Sequence, residues 1–400
     1  MKIIYIASGI PLPGSLGGST HTLEVARGLA ARGHELHVVA CQQEGHLSLA
    51  DLTRPRSTHY EGFFLHHIDV PKSMALLSLP VISRLVKAVA PDALMERYYN
   101  FAGCGLIAAQ GLNIPSLLEV NALIVDPPEV RKRRIDDRLG GPMQRWAIAQ
   151  CRMATRIVTP LHTTVPTEIA RDKIIELPWG AAVERFTAHP ATLPPCHPPS
   201  LSPPIAVFLG SFRAWHGVLD FIHAASLLLE AGRDLHFMLI GDGPLRREAE
   251  QLASRWPGHF TFTGAIPYEQ VPELLSTATI GVAPFNTAPH PALRSAGFFW
   301  SPLKIYEYMA AGLPVVSADI APLNTIIREG NEGLLFREGD STDLAAVIAR
   351  LLDDPQAAQA MGQRARERVV TYYSWSEHCA TLEKILVGEI KTRAAGDTIA

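Results

Sequence analysis

The chain predicts an α/β protein built from two doubly wound parallel sheets, and three observations carry that expectation. Short, continuous apolar runs alternate with segments of helical spacing; the alternation stops and begins again near residue 205; and a proline-rich stretch separates the two rounds. Four hundred residues also exceed what one core usually organises, so two domains are expected on length alone.

In the first round, residues 2–7 read as a buried strand, followed by a loop rich in glycine and proline up to Gly18. Over 20–32, Leu23, Val25, Ala26, Leu29 and Ala30 fall at helical spacing; Gly33 and His34 stop the helix, and 35–40 returns to strand. This is a βαβ unit, which implies a parallel sheet, and 93–95, 114–120 and 156–158 read as its later strands. In the opening loop, Gly17 and Gly18 let the backbone approach a ligand closely, and a helix starting near Ser19 or Thr20 offers free N–H groups. His21 falls in the first helical turn, where a ligand contact and a surface or capping role are both open.

Seven of the fifteen residues from 190 to 204 are proline, a composition that resists helix and central strand and reads as an extended linker. The expected organisation is a first domain over 1–186, a linker over 187–204, a second domain over 205–372, and a terminal helix with tail over 373–400. The second round runs strand 205–209, turn Gly210-Ser211, helix 218–231, strand 236–240, and turn Gly241-Asp242-Gly243-Pro244. It continues with a helix to about 255, strand 259–263, helix 271–277 and strand 279–283. Its strands are apolar throughout, as in a sheet covered on both faces. Ligands of such sheets bind beyond the carboxyl ends of the strands, so one site is expected in a cleft between the halves. Residues 343–352 and 357–371 are helical by spacing, and everything beyond about 391 reads as a loose tail.

The segment 299–316 is the most telling. Ser301 suits an N-cap, Pro302 the first helical position, and Gly312 a left-handed stop before Pro314. A helix begun this way leaves N–H groups and the positive end of its dipole for a phosphate, while Glu307 can accept hydrogen bonds from sugar hydroxyls. That pairing suits a nucleoside diphosphate. The same pattern also describes an ordinary capped helix ahead of a buried strand.

Composition excludes several classes. A net charge of −3, with no basic face carrying interleaved aromatics, argues against a nucleic acid partner. The apolar run at the N-terminus is too brief for a signal peptide, and no window approaches the roughly 20 apolar residues of a membrane span. Five cysteines without a CxxC pair indicate neither a disulfide framework nor a zinc knuckle, so a cytoplasmic, reducing setting is expected. Peripheral contact with the inner face of a membrane stays open because of the basic cluster 131–134 and the amphipathic stretch 73–90. Against it, Asp136 and Asp137 follow the cluster, and Leu76, Leu79, Ile82, Leu85 and Val89 make a stripe that suits the core.

With these motifs in place, the chain resembles the retaining glycosyltransferases of GT-B architecture, most closely family 4, the glycosyl transferases group 1. The likeness rests on 210–217, the turn 241–244, Phe262-Thr263-Gly264 with Ile266, the helix 301–316, and Glu332-Gly333-Leu334-Leu335-Phe336 with Gly339-Asp340, in the family's order and spacing. The resemblance implies two Rossmann-like domains facing a central cleft, and transfer of a sugar from a nucleotide-diphosphate donor with the anomeric configuration kept. It implies no metal and no cofactor beyond that co-substrate. The acceptor would be a glycan, a lipid-linked glycan or a small molecule.

Breaking a glycosyl phosphate bond places negative charge on a diphosphate, so cations and N–H donors are needed there rather than a strong base. Arg213 and, less directly, His216 are the candidates, since a neutral imidazole donates a hydrogen bond but brings no full charge. The family usually carries an arginine just after the first glycine of this loop and a lysine before the second; here Ser211 and His216 stand in those places, next to Gly210 and Gly217. By resemblance, Ser301, Pro302, Leu303 and Lys304 meet the diphosphate, Glu307 takes the ribose hydroxyls, and Gly264, Ala265 and Ile266 read the base edge. The loop with Gly17, Gly18 and His21 lies near phosphates and acceptor in the family. Asn121 matches a position where many relatives keep histidine and is assigned positioning only.

Five departures stand out. Phe299 replaces the family's first motif carboxylate, which touches the donor sugar; Leu177-Pro178-Trp179-Gly180 lacks the usual asparagine; Thr325 replaces a glutamate; Ser211 replaces an arginine; and His216 replaces a lysine. Two alternatives stay open: a nucleotide-sugar epimerase of the same architecture, which would need acid and base residues around the sugar that the chain does not mark, and a non-catalytic nucleotide-sugar-binding relative, suggested by Phe299, Ser211 and His216. Glu96 and Arg97, after strand 93–95, could be an acceptor-side pair, but a structural ion pair is the favoured reading. No G-x-G-x-x-G follows either opening strand, which argues against a pyridine-nucleotide dehydrogenase.

Overall fold

A computed structural model of the chain describes residues 1–14, 17–186 and 203–397. The expected linker 187–204 lies outside the described residues except for Pro203 and Pro204. The described chain divides into two compact units. The first takes Met1–Trp179, Phe299–Ser301 and the helix Trp375–Asp397; the second takes Gly180–Phe298 and Pro302–Ser374.

The first unit holds β1 (Lys2–Pro11), β2 (Glu35–Cys41), β3 (Arg56–Tyr60), β4 (Phe63–His67), β5 (Ala93–Arg97), β6 (Ser116–Glu119), β7 (Arg156–Thr159) and β8 (Ile174–Glu176). They form one sheet in the order β3-β4-β2-β1-β5-β6-β7-β8, parallel except for β3, which runs antiparallel to β4. The β3–β4 hairpin departs from the expectation of a purely parallel sheet. Its edge strand, Arg-Ser-Thr-His-Tyr, is exposed and polar, so it carries no apolar run by which to recognise it.

The second unit holds β9 (Ile205–Leu209), β10 (His236–Ile240), β11 (Phe260–Gly264), β12 (Ile280–Ala283), β13 (Val315–Ala318) and β14 (Gly333–Phe336), in the order β11-β10-β9-β12-β13-β14. Every pairing is parallel. This order reverses direction at β9 and β12, the topological switch point where doubly wound sheets bind ligands. The core beside it is aromatic: Phe208 meets Phe212 edge-on at 5.7 Å between ring centroids, and Phe237 meets Phe221 likewise at 5.7 Å. Each such buried ring contributes on the order of 3 kcal/mol through burial.

Two expectations about helix ends are corrected. The first helix starts at Gly17 and runs to Ala31, so both glycines lie inside its first turn rather than ahead of it. The last helix continues to Asp397 rather than ending near Lys391, because Lys391, Ala394 and Ala395 are good helix formers. That last helix packs on the first one so closely that a Cβ at Gly28 would fall 2.4 Å from the Cys379 sulfur. Cys41, Cys104, Cys151 and Cys379 are buried and unpaired. No helix among the described residues is long and apolar enough to cross a membrane.

Candidate functional site

In the second unit, the chain leaves β9 at Leu209 and enters a tight loop. Gly210 donates to Ile240 O at 2.9 Å, Phe212 N to Asp242 O at 2.8 Å, and Leu245 N to Phe212 O at 3.0 Å, so this loop and the turn after β10 brace each other. Two glycines are required. Gly217 has φ +73° and a Cβ there would sit 1.6 Å from Pro284 O; Gly241 has φ +134° and its Cβ would sit 2.0 Å from Gly210 O.

The helix Leu303–Ala310 is held over the same strand ends by Tyr308. Its hydroxyl accepts from Leu209 N at 2.7 Å and donates to Val282 O at 3.2 Å, and a Cβ at Gly281 would overlap its ring. That placement carries Lys304, one turn before Glu307, to the loop. Lys304 Nζ lies 3.2 Å from His216 Nδ1, and the other imidazole nitrogen lies 3.3 Å from Ser211 Oγ. The ammonium also sits 4.2 Å from the Phe208 ring centroid and 4.8 Å from that of Phe285.

Lys304 and Glu307 are each only 5% exposed. Burial pushes the Lys304 pKa down to about 7, against the partial opposition of Glu307. Burial, then the charges of Lys304 and Arg213, hold His216 neutral, with a pKa well below the usual histidine range. Arg213 itself is exposed at the start of the short turn Ala214–His216.

Ser301 does not cap this helix. Pro302 occupies the cap position without a side-chain bond, and Ser301 Oγ instead accepts from Trp179 N at 2.9 Å within the first unit. The first bonded helical N–H is that of Ile305, to Pro302 O at 2.9 Å, so the N–H groups of Leu303 and Lys304 lie ahead of the helix ladder. Gly312 takes the expected left-handed conformation, with φ +73°.

The first unit gathers a polar cluster around the carboxyl ends of β5 and β6, reached by Tyr5 from within β1 and by His21 from the first helix. Arg97 and Glu119 are register partners across β5 and β6, and Arg97 Nη1 meets Glu119 Oε1 at 3.1 Å. The same guanidinium nitrogen donates to His21 Nδ1 at 2.7 Å, while the Tyr5 hydroxyl and the Asn121 amide both donate to Glu119. Asn121 Oδ1 accepts from Trp179 Nε1 at 2.7 Å. His21 is buried and kept neutral by desolvation, then by Arg97 and His378; its ring lies tilted against that of Trp179, 4.4 Å between centroids. Its Nε2 has no hydrogen-bond partner among the described residues.

Glu96 and Arg97 therefore do not pair with each other. Successive strand residues face opposite sides, and Glu96 points to the helix Cys104–Gly111, accepting from Gly103 N at 2.8 Å and Leu106 N at 2.9 Å. Desolvation outweighs the backbone N–H groups of Gly103, Leu106, Gly105 and Cys104 and raises its pKa to about 7.

Comparison with known families matches residues 16–177 to "Glycosyltransferase Family 4" and residues 203–354 to "Glycosyl transferases group 1". The chain belongs to the group 1 glycosyltransferases. Among curated relatives of this glycosyltransferase, alpha-D-kanosaminyltransferase of Streptomyces kanamyceticus is 30% identical over 43% of the chain and 42% of the relative. The 2-deoxystreptamine glucosyltransferase of the same organism is 26% identical over 66% of the chain and 68% of the relative. The chain thus spans less than half the length of the first of these. In fold, it superimposes on sucrose-phosphate synthase from Thermosynechococcus elongatus with TM-score 0.72 at 18% identity, over 98% of the chain and 99% of that structure. Anabaena HepE in complex with UDP and glucose gives 0.68 at 17%, over 97% and 99%. The fold is GT-B.

Within the second unit of this glycosyltransferase, the structure brings Gly210, Ser211, His216 and Lys304 together, with Arg213 beside His216. Gly264 is joined to the same turn through Gly241 N, at 3.0 Å, and Ile266 lies half-buried just beyond. Phe299 is a buried aromatic, its ring 4.7 Å from that of Trp300, and has no group for a sugar hydroxyl. Residues that sequence reasoning left out of the site are Glu119, Trp179 and Tyr5. A carboxylate ending a buried strand was the available signal for Glu119; nothing local marked Tyr5.

Proposed function

We propose that this glycosyltransferase moves a sugar from a nucleotide-diphosphate donor to an acceptor with retention of configuration and without a metal. One observation carries the reading: the loop Gly210–Gly217 and the start of the helix Leu303–Ala310 meet at the switch point of the second sheet, where Lys304 touches His216. On this reading, Arg213 and His216 face the charge that develops on the leaving diphosphate, helped by the N–H groups of Leu303 and Lys304. Glu307 takes the ribose hydroxyls, and the backbone from Gly264 to Ile266 reads the base. The UDP and glucose bound to HepE support a nucleotide-sugar donor.

In the first unit, Asn121 holds Trp179 and Glu119 in place, so its part is positioning, with Gly17, Gly18 and His21 on the acceptor side. The acceptor class spans glycans, lipid-linked glycans and small molecules. Peripheral membrane contact is the weaker part of that range: Arg133 pairs with Asp137, Lys132 with Asp126, and Leu76, Leu79, Leu85 and Val89 pack on the core. Four buried, unpaired thiols fit a reducing cytoplasm.

Incubation with UDP-, GDP- and ADP-sugars and candidate acceptors tests the reading. Released nucleoside diphosphate with a glycosylated acceptor supports it. An altered free nucleotide sugar would instead assign an epimerase, and binding without turnover an inactive relative, as Phe299, Ser211 and His216 suggest.

A further inference from the structure

The family's loop lysine is absent here, and His216 stands in its place. A neutral imidazole cannot supply that charge. Yet a cation does reach the spot from another element: Lys304 Nζ is 3.2 Å from His216 Nδ1, and a Cβ on Gly210 would lie 3.0 Å from both of those nitrogens. An ammonium only donates, so Nδ1 accepts from Lys304; the imidazole proton then sits on Nε2 and points to Ser211 Oγ, 3.3 Å away. The Phe208 and Phe285 rings flank the ammonium, and the side chain is almost wholly withdrawn from water.

We propose that the ammonium of Lys304, held against Gly210 by His216, supplies the buried positive charge that receives the donor's diphosphate. Arg213 then serves from the solvent side, and His216, whose two ring nitrogens are taken by Lys304 and Ser211, acts through Lys304 as a positioning residue in place of the direct contact with the leaving group given under the proposed function. The inference rests on the donor reading of the second unit. Desolvation disfavours the charged form of Lys304, and the carboxylate of Glu307 offsets this only in part. A diphosphate would restore the full charge, so binding above pH 7 draws a proton from solvent.

The groups facing Lys304 leave that proton assignable. Glu307 shares its helix, His216 and Arg213 come from the loop, and Tyr308 stands behind Leu209. His216 titrates far below this range and the Tyr308 phenol well above its usual value.

The experiment measures affinity for UDP, GDP and ADP from pH 7.5 to 9 by calorimetry in buffers of different ionisation enthalpy. The expected result is uptake of one proton and a loss of affinity of about tenfold per pH unit, for whichever nucleotide binds. Lys304→Arg, which cannot lose its proton in this range, is expected to flatten that slope. Lys304→Met is expected to melt no lower than wild type without ligand while losing the nucleotide-induced shift. An unchanged slope in Lys304→Arg, a retained shift in Lys304→Met, or a lower unliganded melting temperature in Lys304→Met overturns the inference and leaves the donor reading standing. Failure of all three nucleotides to bind the wild type overturns the donor reading and the inference with it.

Discussion

Arg97 and Glu119 face each other at the ends of adjacent parallel strands, 3.1 Å apart, each no more than 5% exposed. Their charges are locked into a network with Tyr5, His21 and Asn121. Removing one member would leave the other charged and buried. Glu119→Ala is expected to lower stability by about 3–5 kcal/mol, and the double variant Arg97→Met/Glu119→Leu to recover much of it. Urea denaturation of the two single variants and the double checks this; a double loss equal to the sum of the single losses would show that the pair is not coupled.

Glu307 is buried one turn beyond Lys304. A nucleotide at a hundred times its dissociation constant should stabilise the wild type by about 2.7 kcal/mol. Glu307→Ala is expected to abolish that gain in a melting assay. An unaltered gain places the nucleoside elsewhere.

Arg213 is exposed, so its removal disturbs packing little. Its proposed action on the leaving group predicts that Arg213→Ala lowers turnover by about a hundredfold or more while nucleotide affinity changes far less. Steady-state kinetics with the cognate donor separate the two parameters, and a near-normal kcat would remove Arg213 from that role.

Glu96 gives a pH signature independent of the site. Its folded pKa of about 7 exceeds the ordinary value of 4.5, so the folded chain binds more protons than the unfolded chain between those limits. The associated stability is complete below pH 4.5 and is lost as pH rises through 7, an effect on the order of 3 kcal/mol. Unfolding free energies measured from pH 4.5 to 8 in wild type and Glu96→Gln should differ in slope over that window. Parallel curves would contradict the buried proton.

Much of this was legible in the chain. Strands 205–209 and 236–240 coincide with β9 and β10, because continuous apolar runs ended by glycine turns leave little freedom in a covered parallel sheet. The polar strand β3, the brief apolar β4 and the three-residue β8 carry too little pattern to be read, the first for want of an apolar run and the other two for want of length. Ser301 carried a capping signal that tertiary context overrode: Trp179 N, 122 residues away in sequence, takes its hydroxyl. Glu96 and Arg97 looked like partners as neighbours, but strand alternation turns them to opposite faces.

The sequence by itself determined the two rounds of alternating strand and helix, the glycine turns and the family, because these depend on local periodicity and backbone freedom. Only the tertiary structure decided which side chains meet. Lys304 and His216 are 88 residues apart, and their contact follows from sheet order and from Tyr308 anchoring a helix to two strand ends. Burial and neighbouring charge then set the protonation of such groups, and both are properties of the packed chain rather than of any segment of it.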